Sequence, residues 1–262
     1  MSDTHPLVSY SCEDGIGVVT MNRPPVNALS LSFIEQLVSA LDEARRDDAA
    51  RAVIISSAVA KRFSAGLDID ILLGKPVEEI RPFLETLYIG LYDAQYNLGK
   101  PSIAAVNGAA RGGGVTIAIS CDVLIASDNA SFGYPEIDIG VLPAIHFTYL
   151  PRIVGRHRAF ELLFSGRVYS AQDAERYGIV SQVVPDGEVD AAAMEMAKTF
   201  ASKSPDIIRR ARNAFLRQND LDYRRGISVA VEDFCSIVTS EATQEGLRAF
   251  VEKRDPNWKP TS

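Results

Sequence analysis

Short apolar, β-branched runs alternate with amphipathic stretches through the first two-thirds of the chain, and this alternation limits the fold more than any other feature. The runs lie at residues 17–21 (GVVTM), 52–56 (AVIIS), 103–106 (IAAV) and 123–126 (VLIA). Without polar alternation, such runs suit strands buried on both faces of a covered sheet. Periodicity alone also allows pieces of buried helix; flanking Gly, Asn and Pro residues favour strands. Between the first two runs, residues 30–46 place Phe33, Ile34, Leu37, Val38, Leu41 and Ala44 at helical spacing, with Glu35, Asp42, Arg45 and Arg46 off that stripe. Ser32 followed by Glu35 predicts a capping box, and the two closing arginines complement the helix dipole. A second helix is expected over residues 77–98. Strands alternating with helices place the chain in the α/β class. From about Pro143 helical patterns dominate, at 156–165, 171–177, 189–203, 205–218, 221–240 and 241–254, with one more strand at 179–184. The expected organisation is an α/β core over 1–200 and a helical region over 201–262.

Composition narrows the function classes. A net charge of −7 and a pI near 5.1 argue against nucleic acid or an anionic membrane as the main partner, since both require clustered cations. Cys12, Cys121 and Cys235 are scattered and odd in number, as in a reducing compartment. The opening MSDTHPLVSY has no signal-peptide pattern, and no window approaches the roughly 20 apolar residues of a membrane span. A soluble cytoplasmic chain is therefore expected. His5, His146 and His157 have no ligand partners at metal-site spacing, so no metal is expected. Gly15-Ile-Gly17 begins like a dinucleotide fingerprint but has Thr20 where the third glycine belongs, and GxxxxGK[ST], HExxH and GxSxG are missing.

Three segments carry candidate chemistry. In residues 100–122, a strand-like run leads through Asn107-Gly108 into Gly112-Gly113-Gly114 and then an apolar helix. Glycines before a helix leave outward-facing amides at its positive end, suited to an oxygen that becomes negative. The same glycines would equally serve tight packing of helix on strand. Residues 61–70 (KRFSAGLDID) place Ser64-Ala65-Gly66 at another strand exit, which could add a second inward amide. In 131–143 (SFGYPEIDIGVLP), Glu136 follows Pro135 in apolar company. Such a carboxyl tends to a raised pKa, as a general base needs, although a solvated loop glutamate is the commoner case.

Taken in order, these segments resemble the enoyl-CoA hydratase/isomerase (crotonase) superfamily over nearly the whole chain. MNRPPVNAL (21–29), RFSAGLDI, IAAVNGAARGGG, CD and FGYPEIDIGVLP follow the family's order and spacing. SGRVYSAQDAERYGIV (165–180) and EGLRAFVEK (245–253) match its later stretches. The resemblance implies a spiral of β-β-α units with a mostly helical C-terminal trimerisation region. It implies an acyl-CoA thioester as substrate, coenzyme A being part of that substrate rather than a separate cofactor. The thioester oxygen would be held by the amides of Ala65 and Gly113. Contacts to CoA are implied for Arg23, Val26, Ala28, the turn Ala65, Gly66, Leu67 and Asp68, and for Phe250 and Lys253, the last two over a neighbouring subunit's CoA. Lys61 and Arg62 are further phosphate candidates, or a solvated surface pair. A homotrimer or a dimer of trimers is expected.

Two departures from the family pattern bear on mechanism. Hydratases carry a carboxylate three positions after the middle glycine and another after the PE proline; here these are Thr116 and Glu136. A single carboxylate fits double-bond isomerisation better than hydration, because one group can take a proton and return it elsewhere. Hydration, thioester hydrolysis, decarboxylation and non-catalytic acyl-CoA binding are the alternatives; RNA binding, known for some relatives, is disfavoured by the acidic charge. The second departure is Pro143-Ala144-Ile145-His146-Phe147 in place of a run of small residues. Ile145 and Phe147 should reshape the acyl pocket, and His146 is either a second acid–base group or a histidine packed in the core.

Overall fold

A computed structural model describes residues 6–203, 205–219, 231–232, 234–235 and 238–256. Strands β1 (Val8–Glu13) and β2 (Ile16–Met21) form an antiparallel hairpin. The chain continues through β3 (Ala28–Leu29), α1 (Leu31–Arg46), β4 (Ala52–Ser57), β5 (Arg62–Ser64), β6 (Gly66–Leu67), α2 (Val77–Glu85) and α3 (Leu91–Tyr96). Next come β7 (Ser102–Val106), β8 (Ala109–Arg111), α4 (Gly113–Ser120), β9 (Val123–Ser127) and β10 (Ser131–Gly133). Then follow α5 (His146–Val154), α6 (Arg156–Ser165), β11 (Tyr169–Ser170), α7 (Ala171–Arg176), β12 (Gln182–Val184), α8 (Val189–Ala201) and α9 (Pro205–Asn219). The last described helix is α10 (Glu241–Glu252). Most of the helix expected at 221–240, and His5, lie outside the described residues.

The large sheet runs β1-β2-β4-β7-β9-β12, parallel from β2 onward, and a four-stranded sheet runs β11-β10-β8-β5. The pairs β4/β5, β7/β8 and β9/β10 each give one strand to the large sheet and the next to the small one before helical structure follows. This is the β-β-α spiral. Alternation along the strands feeds two cores. Val53, Ile55, Ala104 and Val106 face α1–α4, whereas Ala52, Ile54, Ile103 and Ala105 meet Val189, Ala193 and Ala197 of α8 on the opposite face. Burial on both faces explains why those runs read as continuous apolar segments.

Local details differ from expectation. The cap of α1 is Ser30, which accepts from Phe33 N–H at 3.3 Å; Ser32 already lies inside the helix and bonds Gln36. The helix starts directly after β3, which moves the cap two residues upstream of the expected capping box. The stretch 77–98 is two helices joined by a π turn, Thr86–Gly90. The strand expected at 179–184 is confined to Gln182–Val184.

Candidate active site

The site is built where β6 meets the turn between β8 and α4. Among the described residues strand β6 pairs only with β3, and Asp68 N–H donates to Leu29 O at 3.0 Å. Consecutive amides of an extended strand face opposite sides, so the Leu67 N–H is turned toward the open edge of β6. Across that edge runs the glycine turn. A Cβ added to Gly66 would stand 2.7 Å from Arg111 O and 3.4 Å from Gly113 N. Gly113 is the first residue of α4, where no helical carbonyl reaches its N–H and the helix dipole adds positive potential. Leu67 and Gly113 both line one cavity of about 360 Å³.

The amide of Ala65, expected to be a donor, is instead spent on Val26 O at 2.9 Å. The turn was legible in the sequence, but the direction of each amide within it was not, and Leu67 was placed only among the CoA contacts. Ala65 still lines the cavity, as do Val26, Ala28, Gly66 and Asp68.

Glu136 sits on a 3-10 turn, Pro135–Ile139, opened by the proline. Its carboxylate lies against the Gly112 backbone so closely that a Cβ there would come within 2.9 Å of Oε2. With its side chain 17 % exposed, burial pushes the carboxyl up to about 7, and Asp138 adds to that rise. Asp68, the other carboxylate in the lining, is tied to Arg23 at 2.7 Å. Arg23 also donates to Ala28 O, so its guanidinium clamps β3 to β6 and is not part of the cavity wall.

His146 lines the same cavity, 3.6 Å from Glu136 Oε1 through Nε2, with Nδ1 at the Tyr149 hydroxyl. Burial lowers its pKa to about 3, so the ring is neutral near pH 7. Thr116 is buried on α4 outside the lining, and its hydroxyl finds no hydrogen-bond partner among the described residues. Ile145 packs in the main core and Phe147 stacks on Phe164, so neither shapes the cavity as expected. Val141 and Leu142 line it instead, together with Leu72, Tyr88, Ile139 and Phe234, none of which had been singled out as site residues. Helical periodicity marked Tyr88 only as part of a helix; the π turn that directs it into the cavity has no local sequence signature.

Phe250 lines the cavity of its own chain, although the motif placed it over a neighbour's. Helix α10 is fastened there by Thr243 Oγ1, which donates to Gly140 O at 2.6 Å, and by Gln244, which accepts from Gly74 N–H at 2.9 Å. Lys253 caps α10 in left-handed conformation outside the lining, and exposed Lys61 and Arg62 also lie outside it. No cluster of metal-ligating side chains occurs among the described residues, and no described helix is long and apolar enough to cross a membrane.

Two amides facing one end of an apolar cavity, with a proton-accepting carboxyl beside them, suit a reaction that builds negative charge on a carbonyl oxygen. The family profile for enoyl-CoA hydratase/isomerase matches residues 11–261. This chain belongs to that family. The enoyl-CoA hydratase/isomerase relatives include the short-chain-enoyl-CoA hydratase of Clostridium acetobutylicum, 36% identical, with 92% of this chain and 94% of that protein covered. The 2,3-dehydroadipyl-CoA hydratase of Escherichia coli is 34% identical, with 92% and 94% covered. Among solved structures, a carnitinyl-CoA hydratase from Mycobacterium avium superposes with a TM-score of 0.86 at 30% identity, covering 98% of this chain and 99% of its own. As a member, this chain is an acyl-CoA-processing enzyme.

Proposed function

We propose that the enzyme isomerises the double bond of an enoyl-CoA, with Glu136 as the single proton carrier. The carboxylate takes a proton from C2 of a 3-enoyl thioester, and the electron pair moves through the conjugated system onto the thioester oxygen. The Leu67 and Gly113 amides hold that oxygen while it is negative. Glu136 then returns its proton to C4, the double bond comes to rest between C2 and C3, and no other reactant is consumed. The observation that carries this reading is the makeup of the cavity: Glu136 is the lining carboxylate left without a cation, since Asp68 is paired with Arg23, and Thr116 supplies no second acid. Each amide donor is worth about 3–4 kcal/mol to such an oxyanion.

Hydration is the second reading, favoured by relatives that are named hydratases. Incubation with 3-hexenoyl-CoA and, separately, crotonyl-CoA in deuterated water distinguishes the two. Double-bond migration that carries the C2 proton to C4 with little solvent deuterium there, and no 3-hydroxyacyl product, supports isomerisation. A 3-hydroxyacyl product at comparable rate replaces that reading with hydration. Glu136→Gln should lower turnover at least about a thousandfold, typical of losing a buried acid–base group, while acyl-CoA affinity stays within about twofold. Retained turnover would remove Glu136 from the chemistry.

A further inference from the structure

We propose that His146 is a positioning residue for Glu136: its Nε2–H, set by Tyr149 on the opposite ring nitrogen, holds carboxylate oxygen Oε1 and leaves Oε2 to carry the substrate proton. This rests on Glu136 being the proton carrier. The ring belongs to the first residue of α5, is 1 % exposed, and packs on Tyr134 with centroids 4.4 Å apart. Its two nitrogens meet different chemistry. Nε2 faces the Glu136 carboxylate, and the ring also interacts with the Gly112 carbonyl; both are acceptors. Nδ1 meets the Tyr149 hydroxyl, which can donate. The proton therefore belongs on Nε2, with the phenol donating to Nδ1.

The 3.6 Å separation exceeds a hydrogen bond, and catalytic contacts of this kind shorten when ligand fills the site. The titratable groups facing Glu136 are Tyr88 from the π turn, Tyr134 and Asp138 from its own segment, Tyr169 from β11, and His146 from α5, with Tyr149 behind the His146 ring. Burial keeps the phenols of Tyr88, Tyr134 and Tyr169 neutral, and Asp138 works against ionisation of Glu136. His146 presents an N–H to the ionised carboxylate, its Nε2 standing 3.6 Å from Oε1.

The test is an infrared titration of the Glu136 carboxyl band, identified as the band lost in Glu136→Gln, between pH 5 and 9. In His146→Phe the midpoint should move up by about one pH unit, the worth of a weak donor to a charged group. His146→Gln, which puts an N–H near the Nε2 position, should restore most of the shift. Tyr149→Phe, which frees the tautomer, should give a smaller upward move. The pH midpoint of kcat/KM for 3-hexenoyl-CoA should follow, with KM within about twofold. A purely structural His146 would lower Tm without moving the midpoint. An unchanged or lowered midpoint in His146→Phe overturns the proposal; if that variant does not fold, an unchanged midpoint in Tyr149→Phe does so. Turnover surviving in Glu136→Gln would instead overturn the role of Glu136, while the infrared midpoint still reports on the pair.

Discussion

At the scale of single residues, the site holds Glu136 and His146 in environments that disfavour both of their charged forms. The Glu136 carboxyl is raised to about 7 in the folded chain, above its ordinary 4.5, so the folded state holds its proton more tightly. Its contribution to stability is fully present below about pH 4.5 and is lost as pH rises through 7. His146 is the opposite case: its pKa falls from 6.5 to about 3, so its contribution is present above 6.5 and lost as pH drops through 3. Glu136→Gln should therefore be more stable than the unaltered chain by about 3 kcal/mol at pH 8, with the gap closing by pH 4.5, as read by denaturant melts across that range. A gap independent of pH would show that the carboxyl is not desolvated. Turnover, needing the ionised form, should rise through about pH 7. Thr116 gives a separate test: its buried hydroxyl lacks a partner among the described residues, so Thr116→Val should raise stability by about 1 kcal/mol. A loss in the same melts would mean the hydroxyl is satisfied in solution. Glu136 was legible through the family-like order and spacing of the FGYPEIDIGVLP stretch, since its residues alone left a solvated loop glutamate as the commoner reading. The donor amide was not, because the positive φ of Gly66 re-aims the chain between Ala65 and Leu67, and the motif does not show which of the two amides is left free of residues 26–29.

Among the elements, the two glycine turns matter through how closely they approach one another. Gly66 and Gly178 both have positive φ, +86° and +81°. A Cβ on Gly66 would strike Arg111 O at 2.7 Å, whereas one on Gly178 meets nothing within 4 Å. Gly178→Ala should thus cost about 1 kcal/mol from backbone conformation alone. Gly66→Ala adds the clash and should cost roughly 3 kcal/mol while pushing β6 from α4, so its turnover falls by more than its stability predicts. Equal effects of the two substitutions on both measurements would deny that the approach is functional. The long parallel strands were readable from their apolar runs because both faces of the sheet are covered. The two- and three-residue strands β3, β5, β6 and β8 were not, because so few residues carry no period; register with a distant partner defines them. Those short strands hold the glycine turns that line the cavity, so the sequence was most legible where the chain is scaffold.

At the scale of the whole molecule, the C-terminal helices must be fixed to the core for α10 to cover the cavity, and an ion pair buried on its arginine side ties α9 to that core. Arg212 on α9, its side chain 7 % exposed, donates to Asp122 Oδ2 at 2.8 Å and to Gln95 O at 2.8 Å. The same carboxylate oxygen accepts from the Ser102 amide at 2.8 Å, so one residue joins the start of β7, the entry to β9 and α9. The Cys-Asp pair at 121–122 is visible in the sequence as a motif, but its cation lies 90 positions away and no local pattern announces it. Removing Arg212 takes a donor from Asp122 and from the buried Gln95 carbonyl; because Asp122 is itself exposed and keeps its Ser102 bonds, Arg212→Ala is expected to cost about 1–3 kcal/mol. The loss should be local before it is global. Amide exchange in α9 and α10 should accelerate while the strands of the large sheet stay protected. Because Phe250 lines the cavity from α10, the KM for acyl-CoA should rise more than kcat falls. Pairing Arg212→Ala with Asp122→Ala should cost less than the sum of the two single losses; strictly additive losses would show that the two side chains support the fold independently and that α9 is attached elsewhere.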